Sequence, residues 1–158
     1  MSILIDKGSF KCRVSSVLNK NSKEFGKDNM FDGSDESCWN SHQGSPQSVM
    51  IQFVDPLDSS TERMVNISEI KIMFQGGFVG KDCEVLAQQL DSKEFIFISK
   101  FFPDDINTFQ VRLIEIDRYI YWISFPMKIE NVKQIKIVFK QSTDFFGRIV
   151  VYKLDILA

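Results

Sequence analysis

Residues 30–53 read "MFDGSDESCWNSHQGSPQSVMIQF". The passage starts as a polar loop and ends as an apolar run. Asp32 and Asp35 flank Gly33 and Ser34, and Ser37 precedes Cys38 and Trp39. Two readings of the loop stay open. Asp32, Asp35 and Ser37 carry hard oxygens of the kind calcium takes, about six to eight at a time. The same residues also make turns in which Asx and hydroxyl side chains bond the nearby backbone. The D-x-[DN]-x-[DN]-G-x5-E order of an EF-hand is absent. Trp39 is expected to root the loop in the core, its indole N–H finding one partner.

Away from this loop the apolar residues recur with period two. Ile70, Ile72 and Phe74 share one face, and Lys71 and Met73 take the other. Ile135, Ile137 and Phe139 alternate with Lys136, Val138 and Lys140. Val150, Tyr152, Leu154 and Ile156 alternate with Val151, Lys153 and Asp155. Successive side chains of a strand point to opposite faces, so this pattern predicts half-covered β-strands. Further strands are expected over residues 12–18, 48–53, 82–89, 94–102, 109–113 and 119–125, many rich in Val, Ile, Phe and Tyr. Asp55-Pro56, Gly76-Gly77 and Pro103-Asp104-Asp105 punctuate them. Residues 55–66 read as a long surface loop, and 23–29 as a single helical turn. There is no long amphipathic helix and no internal repeat. About eight or nine short strands so punctuated predict an all-β, antiparallel sandwich or barrel.

The chain has 158 residues, which predicts one domain over 1–158. Fifteen phenylalanines favour a packed core over disorder. Nineteen basic residues face 21 acidic ones with no basic block, so the charge gives no support to nucleic-acid binding. Cys12, Cys38 and Cys83 are odd in number and widely spaced, which predicts three reduced thiols. The opening "MSILIDKGSF" lacks the pattern of a signal peptide. No apolar run approaches the roughly 20 residues of a membrane span. The expectation is a soluble cytoplasmic or nuclear protein without a membrane partner.

Catalysis finds little to work with. His42 is the one histidine, and Ser41 is only its sequence neighbour. Triad members meet through the fold, so adjacency carries no weight. Asp104 and Asp105 sit on a Pro-led turn, where solvated acids are ordinary. "QGGFVGKD" at 75–82 has Gln75 where a phosphate loop needs its first glycine and Asp82 where it needs a hydroxyl. The expectation is a protein that is not an enzyme.

The passage "MFDGSDESCWNS" with its following strand "SVMIQF" resembles the opening signature of discoidin, or coagulation factor 5/8 C-type, domains. "GRIVVYKLDIL" at 147–157 resembles their final strand. The blocks "RVSSVLNKNSKEFGKDNMFD", "CWNSHQG", "FQGGF" and "STDFFGRIVVY", in this order, resemble the nuclear receptor-associated proteins built from this domain. Residues 55–66 and 93–131 diverge from that pattern. The resemblance implies an eight-stranded jelly-roll β-sandwich of the galactose-binding-like class. It implies ligand-gripping loops at one end, here residues 20–27, 40–47, 76–81 and 142–147. Asn40, Ser41, His42 and Gln43 would form a polar rim, joined by Gln75 of the FQGGF block. Phe78, Phe145 and Phe146 would be loop-tip aromatics and Arg148 a bordering cation. Phe145 and Phe146 could equally plug the end of the barrel. Sugar-binding relatives hold a structural calcium in the Asp-Gly loop, which would add Asp155 to Asp32, Asp35 and Ser37.

The expected function is an intracellular, non-enzymatic module for protein–protein interaction. The resemblance makes its partner a nuclear receptor and its role that of a repressor-type transcriptional regulator. The alternatives are a carbohydrate-binding module and an adaptor subunit of a larger complex, such as a ubiquitin ligase or a ciliary-transport particle.

Overall fold

The computed structural model describes residues 3–105 and 120–158. Nine strands lie among them: β1 (Phe10–Val14), β2 (Trp39–Asn40), β3 (Gln47–Asp55), β4 (Asp58–Glu62), β5 (Val65–Gln75), β6 (Gly80–Gln89), β7 (Ile96–Phe101), β8 (Ile120–Ser142) and β9 (Val150–Leu157). One helical turn, α1 (Ser22–Phe25), and a 3-10 turn over Lys27–Met30 sit between β1 and β2. The expected antiparallel sandwich is present. The count of nine includes the two-residue β2 and the exposed β4.

Strand β8 makes two layers out of one curled sheet. Its first half pairs with β5, from Gln75↔Ile120 to Ile67↔Ile129. Its second half lies between β3 and β6, with Ile137 opposite both Val49 and Val85. The change of partner falls at Asn131, which adopts φ +56°. Asn tolerates this left-handed conformation better than most residues. One layer is therefore β1-β3-β8-β6-β7, and the other is β8-β5-β9-β2. The layers meet at Phe74 of β5 and Phe139 of β8, whose rings contact edge-to-face at 5.8 Å.

The period-two pattern sets the core. Ile70, Ile72 and Phe74 are buried, as are Ile135, Ile137 and Phe139. Strand β9 departs from it. Met73 pairs with Lys153 but Phe74 pairs with Val151, so Tyr152 is an extra residue. A bulge of this kind reverses which face each side chain takes. Val151, Leu154 and Ile156 therefore enter the main core. Val150 and Tyr152 instead join Cys38 and Met73 in a second cluster on the outer face. The expected grouping of Val150 and Tyr152 with Leu154 and Ile156 is thus corrected.

Three further expectations change. Residues 55–66 are not a plain loop, because β4 folds back on β3 as a hairpin. The first strand ends at Val14, and Leu18 belongs to a short 3-10 turn. The expected strand 109–113 lies outside the described residues. The expected strands 119–125 and 134–140 are two parts of β8, apart from residue 119, which lies outside the described residues.

Cys12, Cys38 and Cys83 are free thiols and all are buried. Burial pushes the Cys12 thiol up to about 12 and raises that of Cys83 as well. Such thiols stay protonated and act as small apolar groups.

Ile137→Ala empties space between the layers and is expected to cost about 2–5 kcal/mol by denaturant unfolding. Val138→Ala, on the outer face, is expected to cost less than about 1 kcal/mol. Equal costs would contradict the layer assignment.

Candidate functional site: the loop pole

Three chain segments converge at one end of the sandwich, and backbone bonds lace them together. Ser41 N–H donates to the Ile149 carbonyl at 2.9 Å, and Ile149 N–H donates to Ser41 Oγ at 2.8 Å. Ser41 Oγ then donates to the His42 carbonyl at 2.9 Å. Gly44 N–H reaches the Phe146 carbonyl at 2.7 Å. Thr143 N–H reaches the Val79 carbonyl at 2.8 Å, and Val79 N–H reaches Thr143 Oγ1 at 3.0 Å. Val150 N–H meets the Phe78 carbonyl at 3.2 Å. Gly147 has φ +87°, and a Cβ there would stand 2.7 Å from the Gly44 carbonyl carbon. Only glycine suits that conformation at that approach.

Gln47 organises the segment after Trp39, and no sequence motif marked it. It is buried. Its amide nitrogen donates to the carbonyls of His42 at 3.1 Å and Gly44 at 2.8 Å. Its oxygen accepts from Ser15 Oγ and Ser16 Oγ, each at 2.6 Å. A buried glutamine with four partners reads in sequence like any polar residue beside a turn. Ser16 was missed for the same reason: its carbonyl takes the Trp39 indole N–H at 2.9 Å, and its Oγ takes His42 N–H at 3.0 Å.

The expected rim residues divide into frame and display. Ser41 is fully buried, so it belongs to the frame and does not offer its hydroxyl to a ligand. Gln75 is half-buried and its Oε1 accepts from the Tyr152 hydroxyl at 3.2 Å. Asn40 is half-buried on β2, and its Oδ1 has no hydrogen-bond partner among the described residues. His42 and Gln43 are exposed at the turn. Phe145 is 93% exposed and Phe146 56% exposed, so neither plugs the barrel. Their rings meet edge-to-face at 5.2 Å. Phe78 packs against the cluster of Val150 and Tyr152, together with Phe25 of α1. The Arg148 guanidinium lies over the Phe78 ring at 4.9 Å. Its Nε stands 3.6 Å from Asp144 Oδ2, close enough for charge attraction but too long for a good hydrogen bond. Asp144 Oδ2 instead accepts the Arg148 backbone N–H at 3.0 Å. The Ser41 hydroxyl is engaged by backbone groups and makes no hydrogen bond to the His42 ring.

The acidic loop takes the turn reading. Asp32 Oδ1 accepts Ser34 N–H at 2.9 Å and Asp32 Oδ2 accepts the Ser37 hydroxyl. Asp35 pairs with Lys153 Nζ at 2.7 Å. Asp155 lies opposite Lys71 on β5, and burial raises its carboxyl pKa against the pull of Lys71 and Lys153. The local cations are thus Lys153, paired with Asp35, and Lys71, opposite Asp155. Among the described residues no three His, Cys, Asp or Glu side chains gather as a metal group. In this arrangement the Asp32 carboxylate is engaged by its own turn and that of Asp35 by Lys153.

Two measurements check this account. Gln47→Ala removes a buried side chain that holds the His42 and Gly44 carbonyls and the Ser15 and Ser16 hydroxyls, and is expected to destabilise by about 1–3 kcal/mol, whereas Gln43→Ala is expected to be neutral. Millimolar calcium is expected to leave Tm unchanged, since only a ligand of the native state raises it; a calcium-dependent rise would restore the metal reading.

No protein-family model matches the chain. Among solved structures, the F5/8 type C domain of a Bacteroides fragilis protein superposes with a TM-score of 0.70 at 12% identity, covering 98% of this chain and 94% of that one. A family 32 carbohydrate-binding module from Clostridium perfringens, in complex with GalNAc-β-1,3-galactose, superposes with a TM-score of 0.65 at 17% identity, covering 99% of this chain and all of that one. These likenesses establish the discoidin-like, galactose-binding-like fold. Similarity in sequence is higher elsewhere. The nuclear receptor 2C2-associated protein of Danio rerio is 43% identical over 150 residues, spanning 94% of this chain and 91% of its own. The Homo sapiens protein of that name is 36% identical over 145 residues, spanning 92% of this chain and 88% of its own. With the four sequence blocks, the sandwich and its laced loop pole, this chain belongs to the nuclear receptor 2C2-associated protein family.

Proposed function

We propose that this protein is a non-enzymatic interaction module whose loop pole recognises another protein, with a nuclear receptor as the partner and repression of its action as the outcome. The family name supports a protein partner. The observation that carries the reading is the display of Phe145. Sugar and small-molecule sites are concave and cover most of their ligand. Phe145 is 93% exposed at the tip of its loop. A projecting aromatic offers a ring that a complementary pocket on a protein partner can enclose. Phe146 beside it, and Arg148 stacked on Phe78, complete the aromatic-plus-arginine character of an interface hot spot.

The frame suits this use. Gln47, Ser41 and Thr143 hold the loops before any partner arrives, and preorganisation lowers the entropy cost of binding. Cytoplasm and nucleus are the compartments we assign to this activity, in keeping with three free thiols.

The test is direct binding to the ligand-binding portion of a 2C-class nuclear receptor, by calorimetry. Phe145→Ala/Phe146→Ala is expected to weaken binding by at least about thirtyfold, as loss of a hot spot of about 2 kcal/mol requires. Its melting temperature should stay within a degree or so of wild type, because both rings are exposed. Undiminished binding by the double variant would exclude this surface. Glycan-array binding that Phe145→Ala abolishes would turn the same pole into a carbohydrate site.

A further inference from the structure

A groove runs along β1, and none of Asn40, His42, Phe78, Phe145 or Phe146 lines it. Strand β1 pairs with β3 alone and so ends its layer. The 3-10 turn over Lys27–Met30 stands alongside, and the Phe31 ring after it meets Phe10 edge-to-face at 4.7 Å. The space between has a volume of about 970 Å³. A second hollow of about 330 Å³ adjoins it, sharing Arg13, Lys27 and Asp28. Together they follow the chain from Ile5 through β1 to Val17.

The lining has two components. Ile5, Phe10 and Phe31 supply an apolar floor, continued by Val14 and Val17 in the second hollow, and Met50 lies beside Arg13 on the other face of the sheet. Lys7, Lys11, Arg13 and Lys27 supply positive charge. Asp28 is the one carboxylate in the lining, and it already pairs with Lys27 at 3.3 Å. Lys7, Lys11 and Arg13 are exposed, and no ion pair joins them to another described residue. On a chain of net charge −2, Lys11 and Arg13 on β1 and Lys7 just before it, none ion-paired to another described residue, are a local reversal of sign.

We propose that this groove docks an extended acidic segment of a partner protein, one whose carboxylates alternate with aliphatic side chains. The period of an extended chain places alternate residues on opposite sides. One set would meet the cations of Lys11 and Arg13 while the other meets the apolar floor. Single-stranded nucleic acid is disfavoured, because it needs aromatic faces open for stacking. Phe10 and Phe31 offer none: they pack on each other and on the core. This site is separate from the loop pole, so it extends the contact a partner could make without depending on it.

The experiment uses the full chain and a fluorescein-labelled peptide of about ten residues, a length of about 33 Å when extended, in which glutamate alternates with leucine or valine. Fluorescence anisotropy is expected to show binding that weakens as NaCl rises from about 50 to about 300 mM, through screening. The same peptide with glutamine for glutamate should bind at least about tenfold more weakly. Lys11→Glu/Arg13→Glu should abolish binding of the acidic peptide. Lys93→Glu/Lys128→Glu, which makes the same charge change outside the groove, should leave it within about twofold. Circular dichroism and melting check that both double variants fold. Equal affinity for the two peptides would overturn the proposal, as would unaltered binding by Lys11→Glu/Arg13→Glu. Tighter binding of an oligothymidylate to the same residues would overturn it in favour of nucleic acid. None of these outcomes bears on Phe145 and Phe146, so the two sites fail or stand separately.

Discussion

Burial of Trp39 is the constraint on which the rest depends. The ring enters from the two-residue β2, which pairs with β9 in one layer. It packs near Phe139 of β8 in the other, with ring centroids 6.3 Å apart. Its indole N–H would be costly to bury unpaired. The Ser16 carbonyl accepts it at 2.9 Å, which draws the end of the β1 segment under the loop. Ser16 in turn receives the His42 N–H and, with Ser15, holds Gln47. A single aromatic thus sets where the acidic loop begins, where the polar turn after it ends, and which side of the sandwich carries both.

The loop pole separates frame from display by chemistry. Backbone groups at the meeting of three segments must be paired once they leave water. Ser41, Gln47 and Thr143 do that pairing, so short polar side chains at the pole are consumed by architecture. What remains outward is His42 and Gln43 of the polar turn, the rings of Phe145 and Phe146, and the guanidinium of Arg148 over Phe78. The acidic loop follows the same logic. Asp32 closes its own turn and Asp35 meets the Lys153 ammonium of β9.

The discoidin-like scaffold also accounts for how one architecture accompanies different ligands. The carbohydrate-binding neighbour shares the fold at 17% identity, and fold alone does not fix what the loops bind. In this chain the loop pole displays the rings of Phe145 and Phe146. A hollow lies along β1, between a strand edge and the 3-10 turn over Lys27–Met30. A strand edge is where a sheet protein must otherwise guard against unwanted pairing. Lys11 and Arg13 place charge there.

The sequence by itself determined the fold class, because strand periodicity is written locally. Ile70-Ile72-Phe74 and Ile135-Ile137-Phe139 need no distant partner to declare a buried face. It also determined the family, through blocks whose order survives without coordinates, and the burial of Trp39. Tertiary structure decided what depends on pairing. The Tyr152 bulge reverses the faces of β9 because Phe74 takes Val151 as its partner, a register no local pattern encodes. β4 emerges because β3 offers it an edge. Ser41 moved from rim to frame because Ile149, more than a hundred residues later in the chain, engages its hydroxyl. The fates of Asp35 and Phe145 likewise turn on where Lys153 and open solvent lie, and those are relations between segments that composition and spacing leave unspecified.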